Sequence, residues 1–218
     1  MKIELVSCSA YSGEIFGESV TNPEALFIAI ARVSSNRAKE ERGFEIEGLI
    51  DYCVKNGHWS IFEMVNVCLY IETSLAIATQ MLRHKSFSFQ MFSQRYNKPL
   101  GYEPVELRTK GKGNRQSSSV KYETSMDIEG VINNCFNAYK ALLSEGVSYE
   151  TARFLLPTCT TTELFMNGSL RSWIHYIQQR NTEHTQKEHR IIAKGVKEIL
   201  ENIFPKTFKA LDKYFFIN

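Results

Sequence analysis

Arg83-His84-Lys85-Ser86-Phe87-Ser88-Phe89-Gln90-Met91-Phe92-Ser93-Gln94-Arg95-Tyr96 is the stretch on which the reading of this chain turns. Cationic residues bracket a run in which Ser and Gln alternate with Phe and Met. Soluble domains rarely set three adjacent basic side chains against so much apolar surface without an anion to bind. The planar fork of arginine matches phosphate, and Ser and Gln supply neutral hydrogen bonds. Taken alone, the run also reads as a helix end with cations at its C-terminal dipole, followed by a strand over 88–96. Short motifs match by chance often, so the surrounding chain decides.

Upstream, Val65 to Glu72 is β-branched and apolar and predicts a buried strand, after which Ser74 caps a helix to about Leu82 or His84. Residues 2–8 predict an opening strand. Asn22-Pro23-Glu24 opens a helix through Val33, and Phe44 to Asn56 predicts another, stopped by Gly57. Downstream, residues 97–121 change character, with Pro99, Gly101, Pro104, Gly111 and Gly113 and the run Ser117–Ser119. By composition this is a solvated loop; its cations Lys110, Lys112, Arg115 and Lys121 also permit a mobile lid over an anionic site. Helices are predicted over 125–144, 147–154, 169–180 and 185–203, with a strand over 158–165 and a capping box at Thr185-Gln186-Lys187-Glu188. The strands do not alternate with helices as in βαβ units. The expectation is one α+β domain over residues 1–218, several helices packed on an antiparallel or mixed sheet, with a mobile loop at about 97–121.

The 218 residues, 43% of them hydrophobic, suffice for one sizeable core. A net charge of +2 argues against a general nucleic-acid coat protein and favours small anionic ligands met by local clusters. No apolar stretch approaches the ~20 residues that span a bilayer. Met1–Val6 lacks a long apolar run and reads as strand, not leader. The five cysteines are odd in number and form no C-x-x-C pair, so reduced thiols and a cytoplasmic location are expected.

Three further clusters carry chemistry. Gly57-His58-Trp59-Ser60-Ile61-Phe62-Glu63 gathers polar groups between a helix and a strand. Ala152-Arg153-Phe154-Leu155-Leu156-Pro157 sets an arginine among apolar neighbours, where it either snorkels or pairs with an anion. In Ser169-Leu170-Arg171-Ser172-Trp173-Ile174-His175-Tyr176-Ile177-Gln178-Gln179-Arg180, residues Leu170, Trp173, Ile174 and Ile177 form an apolar face. Arg171, His175 and Gln178 line another, and Arg180 falls beside Trp173, where it either stacks or reaches a ligand. No metal site is expected: His184 and His189 stand about 140° apart round a helix, and no H-E-x-x-H or cysteine cluster occurs. No G-x-G-x-x-G follows a strand.

In this order and at these spacings, the four segments resemble the signatures of the flavin-dependent thymidylate synthases, over about residues 20–200. The resemblance implies reductive methylation of dUMP to dTMP, with methylenetetrahydrofolate as carbon donor, FAD as hydride carrier and NADPH as reductant. It implies a homotetramer with sites between subunits, and neither a nucleic-acid polymer nor a membrane as partner. Carried onto this chain, it places Ser60, Arg83, His84, Lys85, Met91, Ser169, Leu170, Arg171 and His175 at the flavin. Gln80, Arg83, Met91, Phe92, Ser93, Gln94, Arg95, Arg153 and Arg180 fall at the nucleotide, and Arg180 takes the catalytic role of stabilising charge on the uracil. Three residues depart from the family pattern: Met64 where His is usual, Met91 for Glu, and Lys85 for Arg. Cys159, just after Pro157-Thr158, invites comparison with synthases that use a cysteine nucleophile, but reads better as a small buried thiol. The alternative from another class is a non-catalytic nucleotide- or RNA-binding protein that uses the basic-aromatic run 83–96.

Overall fold

The computed structural model describes residues 1–9, 14–15, 18–19, 23–33, 46–111 and 118–216. Strand β1 (Lys2–Cys8) is followed by the short pair β2 (Glu14–Ile15) and β3 (Glu18–Ser19), then by helices α1 (Pro23–Arg32) and α2 (Ile46–Lys55). A 3-10 turn at Trp59–Glu63 leads into β4 (Asn66–Ser74), α3 (Leu75–Met81) and β5 (Ser88–Met91). The ribbon β6 (Arg108–Lys110) and β7 (Ser118–Lys121) precedes α4 (Ile128–Ser144), α5 (Tyr149–Ala152) and a 3-10 turn at Arg153–Leu155. Strand β8 (Thr161–Ser169), α6 (Leu170–Arg180), α7 (Lys187–Ile203) and α8 (Pro205–Tyr214) complete the order.

The main sheet runs β1-β4-β8-β5 and is antiparallel throughout, which resolves the predicted choice between antiparallel and mixed. β4 and β8 pair over nine residues, from Asn66 opposite Ser169 to Ser74 opposite Thr161. Alternation puts Val67, Leu69, Ile71, Leu164 and Met166 on one face, where they meet Trp173, Ile177, Ile192 and Val196. Two buried polar contacts tie helices into this layer: Trp173 Nε1 donates to the Val67 carbonyl at 3.0 Å, and the buried Glu24 accepts from the Thr207 amide and hydroxyl at 2.7 and 2.9 Å. Gly168 is required by a close approach, since a Cβ there would stand 2.5 Å from the Phe87 ring. That ring packs edge-on against Trp173 at 4.7 Å and so pins the turn carrying residues 83–86.

Several predicted boundaries move. The strand expected over 88–96 pairs only to Met91; the Phe92 amide still donates to Glu163, and the chain then turns. The strand expected from Thr158 begins at Thr161, because Thr160 folds back on the Pro157 carbonyl through its amide at 3.0 Å and its hydroxyl at 2.6 Å. Ser74 occupies the N-cap position of α3 without a side-chain cap; the first amides of that helix donate to Thr160 and Thr158 carbonyls instead. The capping box at 185–188 does not form. Gln186 is the N-cap of α7, Thr185 donates to the Gln179 carbonyl, and Glu188 pairs with Arg108. Helix α8 was not anticipated, although Pro205 at its first turn is its signal. Within 97–121, Arg108 is nearly buried and paired with Glu106 at 2.9 Å and Glu188 at 2.7 Å, which fastens the base of the β6–β7 ribbon to α7. Residues 112–117 lie outside the described residues.

Candidate active site

Helix α6 builds the first cleft. Ser169 caps it, its Oγ accepting from the Ser172 amide at 3.2 Å, and the buried stripe Leu170, Trp173, Ile174, Tyr176 and Ile177 seats it on the sheet. This leaves Arg180 in the last turn, where the helix dipole favours a cation. Arg180 does not stack on Trp173. Its Nε donates to His84 Nε2 at 2.9 Å. His84 must therefore be neutral there, with its proton on Nδ1. Burial first, then the Arg180 charge and His175, push its pKa down to about 4. Among the described residues no carboxylate pairs with Arg180, so its two Nη groups remain for a ligand. They lie in a cleft of about 490 Å³ lined also by Gln80, Arg83, Thr182, His184 and Gln186.

From that cleft a polar chain runs inward to two buried side chains, His189 and Tyr176. Tyr176 OH and His189 Nε2 are 3.1 Å apart, His189 Nδ1 and Gln80 Oε1 are 3.1 Å apart, and Gln80 Nε2 donates to Gln186 Oε1 at 2.7 Å. Burial first, then the Arg180 charge and the neighbouring His84, hold the His189 pKa down at about 3. Sequence reading missed the role of both Tyr176 and His189. Tyr176 belongs to neither of the two faces legible in its helix, and in the sequence His189 stands out only as a possible metal ligand; among the described residues no metal-ligating cluster forms.

A second cleft, of about 430 Å³, opens at the other end of α6 between Trp59, Glu63, Ser86, Arg171, Ser172 and His175. Glu63 organises it, accepting from Ser169 Oγ at 2.6 Å and from Arg171 Nη1 at 2.9 Å. Ser172 Oγ donates to the Ser86 carbonyl at 3.3 Å, which joins this cleft to the 83–86 turn. Its donors suit a pyrophosphate-bearing cofactor. Arg171 spends one of its five N–H groups on Glu63, while Trp59, packed on Phe215 at 4.7 Å, gives an aromatic wall. Ser60 is exposed on the same 3-10 turn. Leu170 stands apart: its side chain is fully buried and its amide already donates to the Val65 carbonyl at 2.7 Å. Arg83 and Lys85 are exposed at the turn between the two clefts.

The remaining predicted residues gather elsewhere. Arg95 donates through Nε and Nη2 to Glu150 Oε2 at 3.0 and 2.7 Å, and Arg153 Nε donates to the Glu150 carbonyl at 3.2 Å. Ser93 Oγ accepts from the Arg95 amide at 3.4 Å. Gln94 is buried with an unpartnered Nε2, while Met91 and Phe92 are half-buried at the end of β5. Phe154 and Tyr96, 81% and 70% exposed, flank this patch. It lies beyond the end of β5 opposite to the 83–86 turn, and no described contact joins it to the Arg180 cleft. The aromatic run is not a stacking platform: Phe87 is in the core and Phe89 packs beside it, which removes the observation that an RNA-binding reading needed. Cys159 is half-buried away from both clefts, and burial pushes its thiol pKa up, against a nucleophilic thiolate.

Residues 18–206 match the family described as thymidylate synthase complementing protein. The chain is 40% identical to the flavin-dependent thymidylate synthase of Synechocystis sp., over 97% of this chain and 100% of that protein. It is 39% identical to the probable flavin-dependent thymidylate synthase of Paramecium bursaria Chlorella virus 1, over 89% of this chain and 93% of that protein. It is 31% identical to the flavin-dependent thymidylate synthase of Thermus thermophilus, over 78% of this chain and 65% of that protein.

Proposed function

This chain belongs to the flavin-dependent thymidylate synthase family, and from that membership we infer that the cleft at Arg180 holds the uracil ring of dUMP. The enzyme converts dUMP to dTMP, with methylenetetrahydrofolate as carbon donor and FAD as hydride carrier. NADPH is the reductant we assign. The observation that carries the assignment of Arg180 is its hydrogen bond to a neutral histidine. His84 fixes the guanidinium through Nε and takes none of its charge. Both Nη groups then face a ligand as an undiminished cation with a planar fork, suited to charge that develops on the pyrimidine as N3 ionises.

FAD, when bound, supplies hydride transfer. Arg171, His175, Ser172 and Trp59 would hold it in the Glu63 cleft, and Arg83 and Lys85 would meet anionic groups where the two clefts adjoin. Met91 in place of the usual carboxylate leaves its backbone, not its side chain, for polar contact. We assign Ser93, Arg95 and Arg153 to the nucleotide phosphate. Because one chain keeps that patch apart from Arg180, the assignment requires a neighbouring subunit to complete each site, and a homotetramer is the assembly we propose. No helix among the described residues is long and apolar enough to cross a membrane; the location proposed is the cytoplasm. The β6–β7 ribbon is proposed as a mobile cover whose Lys110 and Lys121 meet anionic ligands, and slower hydrogen exchange at 118–121 on adding dUMP and folate is the expected result.

The test of the reading is Arg180→Lys. Lysine keeps the charge and loses the fork, so the variant should hold FAD, seen by its absorbance, and lose about 100-fold in dTMP formation. Normal turnover would remove Arg180 from the catalytic role.

A further inference from the structure

The chain Tyr176–His189–Gln80–Gln186 has two possible hydrogen-bond polarities, and one group decides between them. Tyr176 and His189 are both fully buried. Among the described residues the Tyr176 hydroxyl has His189 Nε2 as its partner, at 3.1 Å. A buried hydroxyl that does not donate leaves its proton unsatisfied, which is costly. Tyr176 must therefore donate, and Nε2 must accept. A neutral imidazole has one acceptor and one donor, so Nδ1 carries the proton and donates to Gln80 at 3.1 Å. Gln80 must present its oxygen inward to receive it. Its Nε2 is thereby turned outward, where one N–H donates to Gln186 Oε1 at 2.7 Å and the other is left over. The opposite polarity would turn the Gln80 oxygen outward and strand the Tyr176 proton.

We propose that Tyr176 and His189 are positioning residues that lock the Gln80 amide with its free N–H toward the Arg180 cleft, so that the cleft selects uracil nucleotides over cytosine nucleotides. The inference rests on reading that cleft as the uracil site. Gln80 and Arg180 then both present donors, which suits the C4 carbonyl of uracil and opposes the 4-amino group of cytosine. Locking matters because an amide free to flip presents either oxygen or nitrogen at the same place and reads neither base. The tyrosine is three links from the ligand and touches none of it, yet it sets the sign of the contact.

The test uses the FAD-loaded enzyme. Nitrogen-15 NMR of labelled histidine, with His189→Gln to assign the signal, should show His189 neutral and protonated on Nδ1. Calorimetry with dUMP and dCMP should show a preference for dUMP that falls about tenfold in Tyr176→Phe, where His189 and Gln80 can reverse, with FAD retained. An Nε2-protonated His189, or an unchanged preference in a folded, FAD-loaded Tyr176→Phe, would overturn the proposal. If that variant does not fold, the tautomer in the unmodified enzyme decides alone. Failure of the underlying reading is separate: Arg180→Lys would then form dTMP at the normal rate, whatever the tautomer of His189.

Discussion

The cleft around Arg180 and the patch around Arg95 use the same side chain in opposite states. Arg180 is half-buried, bonded to an uncharged imidazole, and keeps its full charge for a ligand. Arg95 is 65% exposed and paired with Glu150, itself 52% exposed. An exposed ion pair of this kind contributes roughly 0–1 kcal/mol, so a dianionic phosphate can displace the carboxylate at little cost. Among the described residues Arg180 has no carboxylate to displace, and its hydrogen bond to His84 fixes its position before any ligand arrives. On the proposed assignment, the difference separates a group built for the chemical step from one built for capture. Preorganisation matters where charge develops, and exchangeability matters where a nucleotide must come and go.

The sharpest way to break this contrast is at His84. His84→Ala leaves the Arg180 Nε without its partner and opens a void beside Tyr176 and Phe87, whose rings lie 5.0 and 6.4 Å from the imidazole. At pH 7 it should lose about 2–3 kcal/mol of stability together with most dTMP formation, read by denaturant titration and turnover. The stability difference should also depend on pH. In the folded chain the His84 pKa is pushed down to about 4 from 6.5. The unfolded chain therefore takes up the proton first as pH falls. The stabilisation from neutral His84 is present in full above about 6.5 and is lost between 6.5 and 4, so the gap between the two proteins should narrow across that window. A gap that stays constant would mean that His84 is not held neutral by the fold.

A smaller effect, and a different kind, is expected at the patch. Arg95→Ala should change stability by no more than about 0.5 kcal/mol, because only an exposed pair is removed. Its KM for dUMP should rise about tenfold or more while kcat changes less, since phosphate contacts bind ground state and transition state alike. A fall in kcat with unchanged KM would erase the distinction between the two arginines.

What the sequence made legible follows the same division. Strand β4 could be read because it is a β-branched apolar run, β8 because it opens on threonines, and α6 because Leu170, Trp173, Ile174 and Ile177 repeat at helical spacing, while the choice between an antiparallel and a mixed sheet needed the pairing itself. The residue types of both arginine sites could be read from local motifs and their family resemblance. Their partners could not. His84 lies 96 residues from Arg180, Glu63 108 from Arg171, and Gln80 109 from His189. No local pattern encodes contacts that only the closing of the sheet creates. Boundaries failed where a polar side chain had a better partner outside its own helix, as with Thr185 on the Gln179 carbonyl and Glu188 on the distant Arg108. The run 83–96 looked like one binding element, yet β5 lies in its middle and sends its two ends to separate places.

That separation supports the central claim, that a working site takes its Arg180 cleft from one subunit and its Arg95–Arg153 patch from another. The most direct measurement mixes equal amounts of two variants, Arg180→Lys and Arg95→Ala/Arg153→Ala, under conditions that let subunits exchange, and assays them at dUMP far below the raised KM of the second, where each alone has little activity. Each must first be shown to be folded, FAD-loaded and of the same oligomeric state. If sites are shared, random mixing joins an intact cleft to an intact patch in about a quarter of them. Activity should then recover to about that fraction of the unmodified enzyme. Mixtures that exchange subunits and stay inactive would show that both arginines serve one chain's own site and would contradict the account.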